Sequence, residues 1–438
     1  MILGPDHLRR LLGSIEVDRL VILCGAGLSV PPPSDLMSAV RVAQTCYDAY
    51  RPIKPLPLDI RDKIDKIAGY FHGTGEFESV FIGTLVPWDE LVGEPNAGHA
   101  ALSDFLICRA AHAVLSANFD SLIEQWAWNR KISMLGALDG QEAMSFKRVS
   151  NPLVKFQGCL VRGREETLWT ADQLGKKEIA DRVRACSDWM KLTLPGKDLL
   201  IVGFWTDWGY LNDVLAEALT ATSFGSVTVV DPKCTMDLQT KAPKLWATLL
   251  SGTVSFKHVQ ASGADVLVEL RTEFSKVWAR KFFALGKALL EEAGRAYSEH
   301  EPDMGCDALY DCRRDAEGVP YNRAAKKKTP PSEAALASFL HHLLIEAAAT
   351  HEGAWYRIGG NRVRVVNGAG QGLNSVREQY REPPALSAAD IVVCAGAVDL
   401  GVRGSIIGSG AGASIVHPSG GGGARWMTLE QARGELGI

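Results

Sequence analysis

The sequence predicts an α/β protein: a parallel sheet with crossover helices, followed by a smaller C-terminal α+β domain. Three observations carry this reading. Between Asp18 and Glu273, short apolar runs alternate with longer segments whose apolar residues recur at three- and four-residue intervals. Nearly every run ends in a small or polar residue, as strands do when their carboxyl ends face a ligand crevice. Past about residue 275 the alternation stops, and 438 residues with 46% hydrophobic content suffice for two or three domains. We divide the chain into 1–274 and 275–438.

Taken in order, the candidate strands of the first part are "LVILCG", "HAVLSANFD", "LVKFQG", "DLLIVGF" and "SVTVVDP". Between them lie the helical segments "PSDLMSAVRVAQTCYDAY", "HAALSDFLICRAA", "FDSLIEQWAWNR" and "WGYLNDVLAEALTA". "GADVLVEL" closes this part as a last helix, with Asp265 near its start, where a carboxylate complements the helix dipole. In the second part, "VWARKFFALGKALLEEAGRAY" and "SEAALASFLHHLLIEAAATH" read as two amphipathic helices. They are joined by a polar stretch whose Lys326, Lys327 and Lys328 read as a solvated loop. "AWYRIGGNRVRVV" reads as a hairpin, because Gly359, Gly360 and Asn361 tolerate positive φ. Strand-like "ADIVVCAG" then leads into a Gly-rich stretch. That stretch reads as loops or a surface ordered by a partner, and no Gly-Lys-Ser or Gly-Lys-Thr makes it a phosphate loop.

Composition narrows the function classes. A formal charge of −4 offers no global attraction for nucleic acid. No run reaches the ~18 to 20 apolar residues of a membrane helix, and the N-terminus lacks the uninterrupted apolar core of a secretion signal, so a cytoplasmic protein is expected. None of the nine cysteines forms a Cys-x-x-Cys pair, which argues for buried thiols rather than a zinc ribbon.

Two strand ends carry the chemistry. Gly25, Ala26, Gly27, Leu28 and Ser29 directly follow the first strand, where missing Cβ atoms and a helix start suit a pyrophosphate. "SANFD" ends the second strand and presents Asn118, an amide for a sugar hydroxyl or water, and Asp120, a carboxylate for a ribose or a cation. Asp120 also reads as the N-cap of the helix that follows. His99 reads as a helix-start residue, His112 as a packed histidine on an apolar helix face, and His72 as out of order along the chain for a catalytic base. Trp205 and Trp208 flank Asp207 at a strand end, where one could stack on a ring or pack in the core.

"GAGLS", "SANFD", "KFQG", "VGF" followed by Asp207, "VVDP" and "GADVLVEL" occur in the order found in the sirtuin family, and over about residues 14–273 the chain resembles the sirtuin-like NADases of bacterial antiphage defence. The resemblance implies a Rossmann-like fold and NAD+ as substrate. It makes Gly25, Ala26, Gly27, Leu28 and Ser29 the pyrophosphate cradle and Asn118 and Asp120 ribose and catalytic contacts. Gly203, Phe204 and Asp207 would lie near the second nucleotide half, Asp231 near the adenine-side ribose, and Ala264 and Asp265 at the last helix start.

Two departures qualify it. Only Cys159 and Cys186 lie where protein deacylases carry a zinc module, so no zinc and no deacylation are expected. Where the family has a catalytic histidine, this chain has Gln157, whose amide has no useful basic lone pair. Cleaving the nicotinamide bond needs no acid, since the leaving group departs neutral. Hydrolysis could then run on positioning and electrostatics.

The expected function is NAD+ hydrolysis to nicotinamide and ADP-ribose, depleting the cell's NAD during phage infection. The alternative is an impaired NAD or ADP-ribose binding subunit in which Gln157, natural or engineered, has retired the chemistry. The resemblance also implies homo-oligomers and partners of the HerA-type ATPase or Argonaute class. Direct nucleic-acid binding is not expected.

Overall fold

A computed structural model describes residues 2–130, 132–146, 150–206, 208–220, 223–299, 331–352, 355–379, 389–399 and 424–438. The chain forms two compact units, one of residues 1–129 and 134–270, the other of residues 130–133 and 271–438.

The first unit is built on a six-stranded sheet: β1 (Leu20–Cys24), β2 (Ala113–Ser116), β3 (Leu153–Lys155), β4 (Asp198–Val202), β5 (Ser226–Val230) and β6 (Phe256–Val259). Their order is β3-β2-β1-β4-β5-β6, and every pairing is parallel. All five candidate strands are present, and β6, not anticipated, completes the edge. Every residue of β1 is buried, as in a central strand covered on both faces. The chain turns from β1 outward to β2 and β3, then returns to β4 on the other side of β1. The topological switch therefore falls between β1 and β4, and there the carboxyl-end crevice of an open α/β sheet lies.

The helices of this unit are α1 (Pro5–Glu16), α2 (Ala39–Tyr50), α3 (Ile64–Gly73), α4 (Ala97–Ile107), α5 (Leu122–Asn129), α6 (Gly140–Phe146), α7 (Lys177–Thr193), α8 (Gly209–Thr220), α9 (Thr235–Lys241), α10 (Pro243–Ser251) and the first eight residues of α11 (Gly263–Ala284), whose remainder belongs to the second unit. The helix read from "PSDLMSAV" begins only at Ala39, where the Ser38 hydroxyl caps it by accepting from the Arg41 N–H. Residues 39–91 form a helical insert with its own core, in which Tyr47, Phe71, Phe81 and Trp88 meet Trp169.

A second correction concerns α11. "GADVLVEL" and "VWARKFFA" are one continuous 22-residue helix, because no breaker separates them before Leu285 and Gly286. α12 (Lys287–Glu292) follows as a separate short helix.

The second unit carries α13 (Pro331–Glu346), α14 (Leu373–Gln379) and α15 (Leu429–Leu436) around a five-stranded sheet. Its strands are β7 (Thr350–Glu352), β8 (Trp355–Ile358), β9 (Asn361–Asn367), β10 (Ile391–Ala395) and β11 (Arg425–Thr428), in the order β11-β10-β9-β8-β7. The expected hairpin is β8 and β9, antiparallel, with Gly359 and Gly360 at φ 55° and 83° in its turn. β9, β10 and β11 are parallel, so this sheet is mixed. Lys326, Lys327 and Lys328 and the stretch 400–423 lie outside the described residues.

Candidate functional site at the carboxyl ends of the sheet

Glycines build the floor of the crevice. A Cβ on Gly25 would lie 2.8 Å from the Phe204 Cα, and one on Gly27 would lie 2.9 Å from the Gly203 carbonyl oxygen. Gly203 itself sits at φ +59° after β4, where a side chain would be strained. Gly263, at the start of α11, packs against the Gly203 nitrogen, and Gly98, in the first turn of α4, packs against Leu28 and Ala264. The glycines expected to face a ligand are thus already required by backbone packing between the ends of β1 and β4.

The amides of the same loop are similarly committed. Gly25 N–H donates to Val202 O, Gly27 N–H to Gly203 O, Leu28 N–H to Gly25 O and Ser29 N–H to Ala26 O. The open row of unpaired N–H groups expected after the first strand is not what these residues form. Ala26 and Gly27 are exposed, Leu28 is a core residue, and Phe204 is buried against the sheet.

Ser29 is the centre of the polar cluster. Its hydroxyl is 2% exposed and donates to Asp120 Oδ2 at 2.9 Å. It accepts from Asn118 Nδ2 at 3.1 Å and meets His99 Nε2 at 3.1 Å. The Asn96 backbone N–H donates to His99 Nδ1 at 3.2 Å, which leaves the proton of the neutral ring on Nε2, pointing at Ser29. Burial above all, and Lys155 after it, lowers the His99 pKa, against the opposing pull of Asp120, so the ring is held neutral. The Ser29 hydroxyl, with one donor and two lone pairs, is therefore saturated. It organises Asn118 and Asp120 and has no bond left for a phosphate.

Asp120 caps the following helix as read from the sequence, since its Oδ1 accepts from the Leu122 N–H at the start of α5. Between Asn118 and Asp120 the chain alternates, and Phe119 turns to the helical insert to pack 4.6 Å from Trp169.

One atom of this cluster is left over. Asn118 Oδ1 is buried without a hydrogen-bond partner in the protein, on a residue 6% exposed, and leaving that acceptor unmade costs about 1–3 kcal/mol. Asn118 follows β2 and Gln157, 2% exposed, follows the adjacent β3. The Gln157 amide faces the Tyr210 hydroxyl as a hydrogen-bond donor; burial holds the Tyr210 pKa well above its usual range, against the smaller opposing pull of that bond.

The remaining expectations are distributed more widely. Asp231 is buried after β5 and spends Oδ1 on the Lys233 N–H. Asp265 is exposed in the first turn of α11, and Asp207 lies outside the described residues. Trp205 donates to the Leu238 carbonyl and packs edge-on to Trp246, while Trp208 stacks on Tyr210. Both tryptophans thus have protein partners. His112 is not a packed helical histidine: it lies just before β2, 3.0 Å from Asp18, because α4 ends five residues earlier at Ile107. His72 ends α3 against Phe77.

His99 is the site residue that sequence reading missed. Its spacing from Asn96 marks a capping box, which the structure shows, but nothing local reveals that Nε2 meets a serine 70 residues away. Among the described residues no group of three or more His, Cys, Asp or Glu is placed to hold a metal ion. None of the described helices is long and apolar enough to cross a membrane.

No protein-family model matches the chain, and no curated protein sequence matches it. Solved structures similar to it are of Sir2 proteins. They include a mutant Sir2 homologue in complex with ADP-ribose, at 12% identity over 62% of this chain and 97% of that one, with a TM-score of 0.34. A structure described as the basis for the mechanism and regulation of Sir2 enzymes is 16% identical over 63% and 100%, with a TM-score of 0.34. A complex of a Sir2 homologue with NAD is 13% identical over 61% and 94%, with a TM-score of 0.33.

Proposed function

We propose that this chain is an NAD+ glycohydrolase, releasing nicotinamide and ADP-ribose, in a bacterial antiphage system that acts by depleting NAD. The observation that carries the reading is the orphaned acceptor Asn118 Oδ1, on the side chain that joins the Ser29 cluster at the carboxyl end of β2. A ribose hydroxyl or a water donates to it, whereas an apolar ligand does not. The order of the sequence motifs supports NAD+ as the source of that ribose, and supports the antiphage role. The exposed Ala26 and Gly27 would approach its pyrophosphate.

The chemistry assigned to these residues is modest. Nicotinamide leaves as a neutral molecule, so departure needs no proton. The Asp120 carboxylate stabilises the positive charge that develops on the ribose, and Asn118 Oδ1 orients the attacking water, whose proton passes to bulk solvent as the new C–O bond forms. Gln157 holds a hydroxyl and takes no proton. General acid–base help, typically worth about 10² to 10⁴ in rate, is absent.

The test is chromatographic measurement of nicotinamide release by the wild type, Asn118→Ala and Gln157→His. Release by the wild type that Asn118→Ala abolishes is the expected result. An Asn118→Ala variant as active as wild type would refute the site.

A second reading, an NAD- or ADP-ribose-binding subunit of an assembly with an ATPase or Argonaute-type partner, is favoured by Gln157 itself. Tight nucleotide binding by calorimetry, with no turnover even in the assembled complex, would select it. Under either reading we assign the unit containing residues 271–438 to homo-oligomerisation or partner binding, which light scattering of the full chain checks.

A further inference from the structure

Beneath the site lies an ion pair that the reaction above does not use. Lys155, the last residue of β3, and Glu124, on α5, have side chains only 1% exposed each, with Nζ and Oε1 3.1 Å apart. Nζ also donates to the backbone carbonyl of Asp120 and lies 3.4 Å from the Cys159 sulfur. Three partners match the three protons of an ammonium. Burial opposes the charge on Lys155, but Glu124, Cys159 and Asp120 outweigh it and raise its pKa above the ordinary value. The other Glu124 oxygen, Oε2, is buried without a partner.

Room for the pair is made by Gly136, where a Cβ would lie 2.9 Å from Glu124 Oε1 and would also strike the Lys155 stem. A buried ion pair is a poor source of stability, because desolvation offsets most of its attraction. Its place in the structure offers another use. The Asp120 side chain is fixed by Ser29 and Leu122, and Lys155 fixes its main chain through the carbonyl.

We propose that Lys155, paired with Glu124, is a positioning residue that clamps the Asp120 carbonyl and so sets the loop presenting Asn118 and Asp120 to the substrate. The proposal rests on the NAD+ reading for its kinetic consequence. The clamp itself is a property of the loop.

The experiment compares the full-length wild type with the double variant Lys155→Met/Glu124→Leu and with Lys155→Arg. The apolar pair removes both charges together, an exchange that is often neutral or stabilising, so folding is retained while the Asp120 carbonyl loses its donor. Nicotinamide release is measured per folded molecule, with the folded fraction taken from near-ultraviolet circular dichroism. Amide exchange of the 116–122 segment is followed by mass spectrometry.

The double variant should lose about 10²-fold in kcat, the order expected of a 1 Å misplacement, and exchange at least tenfold faster in that segment alone. Lys155→Arg, which returns a donor to the carbonyl, should recover at least tenfold of the lost turnover. Unchanged exchange in 116–122, or a loss of activity that only follows the folded fraction, would overturn the proposal. If the wild type releases no nicotinamide, the NAD+ hydrolase reading fails, and the exchange measurement still decides the clamp.

Discussion

Replacing Ser29 by alanine tests whether this residue is the hub of the site or a phosphate contact. The hydroxyl serves Asp120 Oδ2 at 2.9 Å and Asn118 Nδ2 and His99 Nε2 at 3.1 Å each. Its removal takes a charge-assisted bond, about 1.5–3 kcal/mol, from Asp120 and leaves two buried donors unpaired at about 1–3 kcal/mol apiece. Neighbours in one network do not add, and partial relaxation or an entering water recovers part of the loss. The lower end, about 3.5 kcal/mol before relaxation, is the upper bound on the expected destabilisation, and about 2–3 kcal/mol is expected once relaxation is allowed. Urea unfolding measures it, with the slope m unchanged if the folded state keeps its extent. Loss of nucleotide affinity should accompany it, because Asn118 is then free to turn its amide. A change below about 1 kcal/mol with a raised KM for NAD+ would refute the hub and return Ser29 to the cradle.

Other outcomes follow from the same geometry. Gly27→Ala drives a Cβ to 2.9 Å from the Gly203 carbonyl and should cost about 1–3 kcal/mol through overpacking, read by thermal melting; an unaltered midpoint would contradict the β1–β4 contact. Gln157→His restores a titratable base and should raise nicotinamide release at least tenfold, with activity climbing as pH rises through the imidazole pKa; a flat pH profile would count against it. His7 is held neutral, its pKa lowered from 6.5 to about 4 by burial and then by the charges of Arg10 and Lys257. The unfolded chain binds the proton more tightly, so stability should fall as pH drops from about 6.5 toward 4 and change little from this source below that. A His7→Gln variant should flatten that limb in urea titrations at a series of pH values, and an identical slope would remove His7 as its cause.

The sequence by itself determined a good deal, and the reason is local. Strand and helix periodicity, the Gly359-Gly360 turn and the polar residues ending each apolar run are written in short windows, so five of the six strands of the first sheet and helices α2, α4, α5, α8 and α11 were legible, whereas α7, α9 and α10 were not read. β6 escaped because "FKHV" is half exposed at a sheet edge and lacks a clean apolar run. The break between α11 and α12 escaped because amphipathic periodicity does not mark where one helix joins the next.

Tertiary structure decided which residues meet. The Gly25 and Gly27 spacing is the same whether a phosphate or another backbone lies against it, and only the approach of Gly203 distinguishes them. His99, Asn118 and Asp120 converge on Ser29 from segments 70, 89 and 91 residues away. Lys155 in "LVKFQG" and Glu124 in "SLIEQW" drew no reading of their own, because no local pattern links residues 31 apart. Their meaning lies in each other, and parallel strands separated by long crossovers are what bring them together.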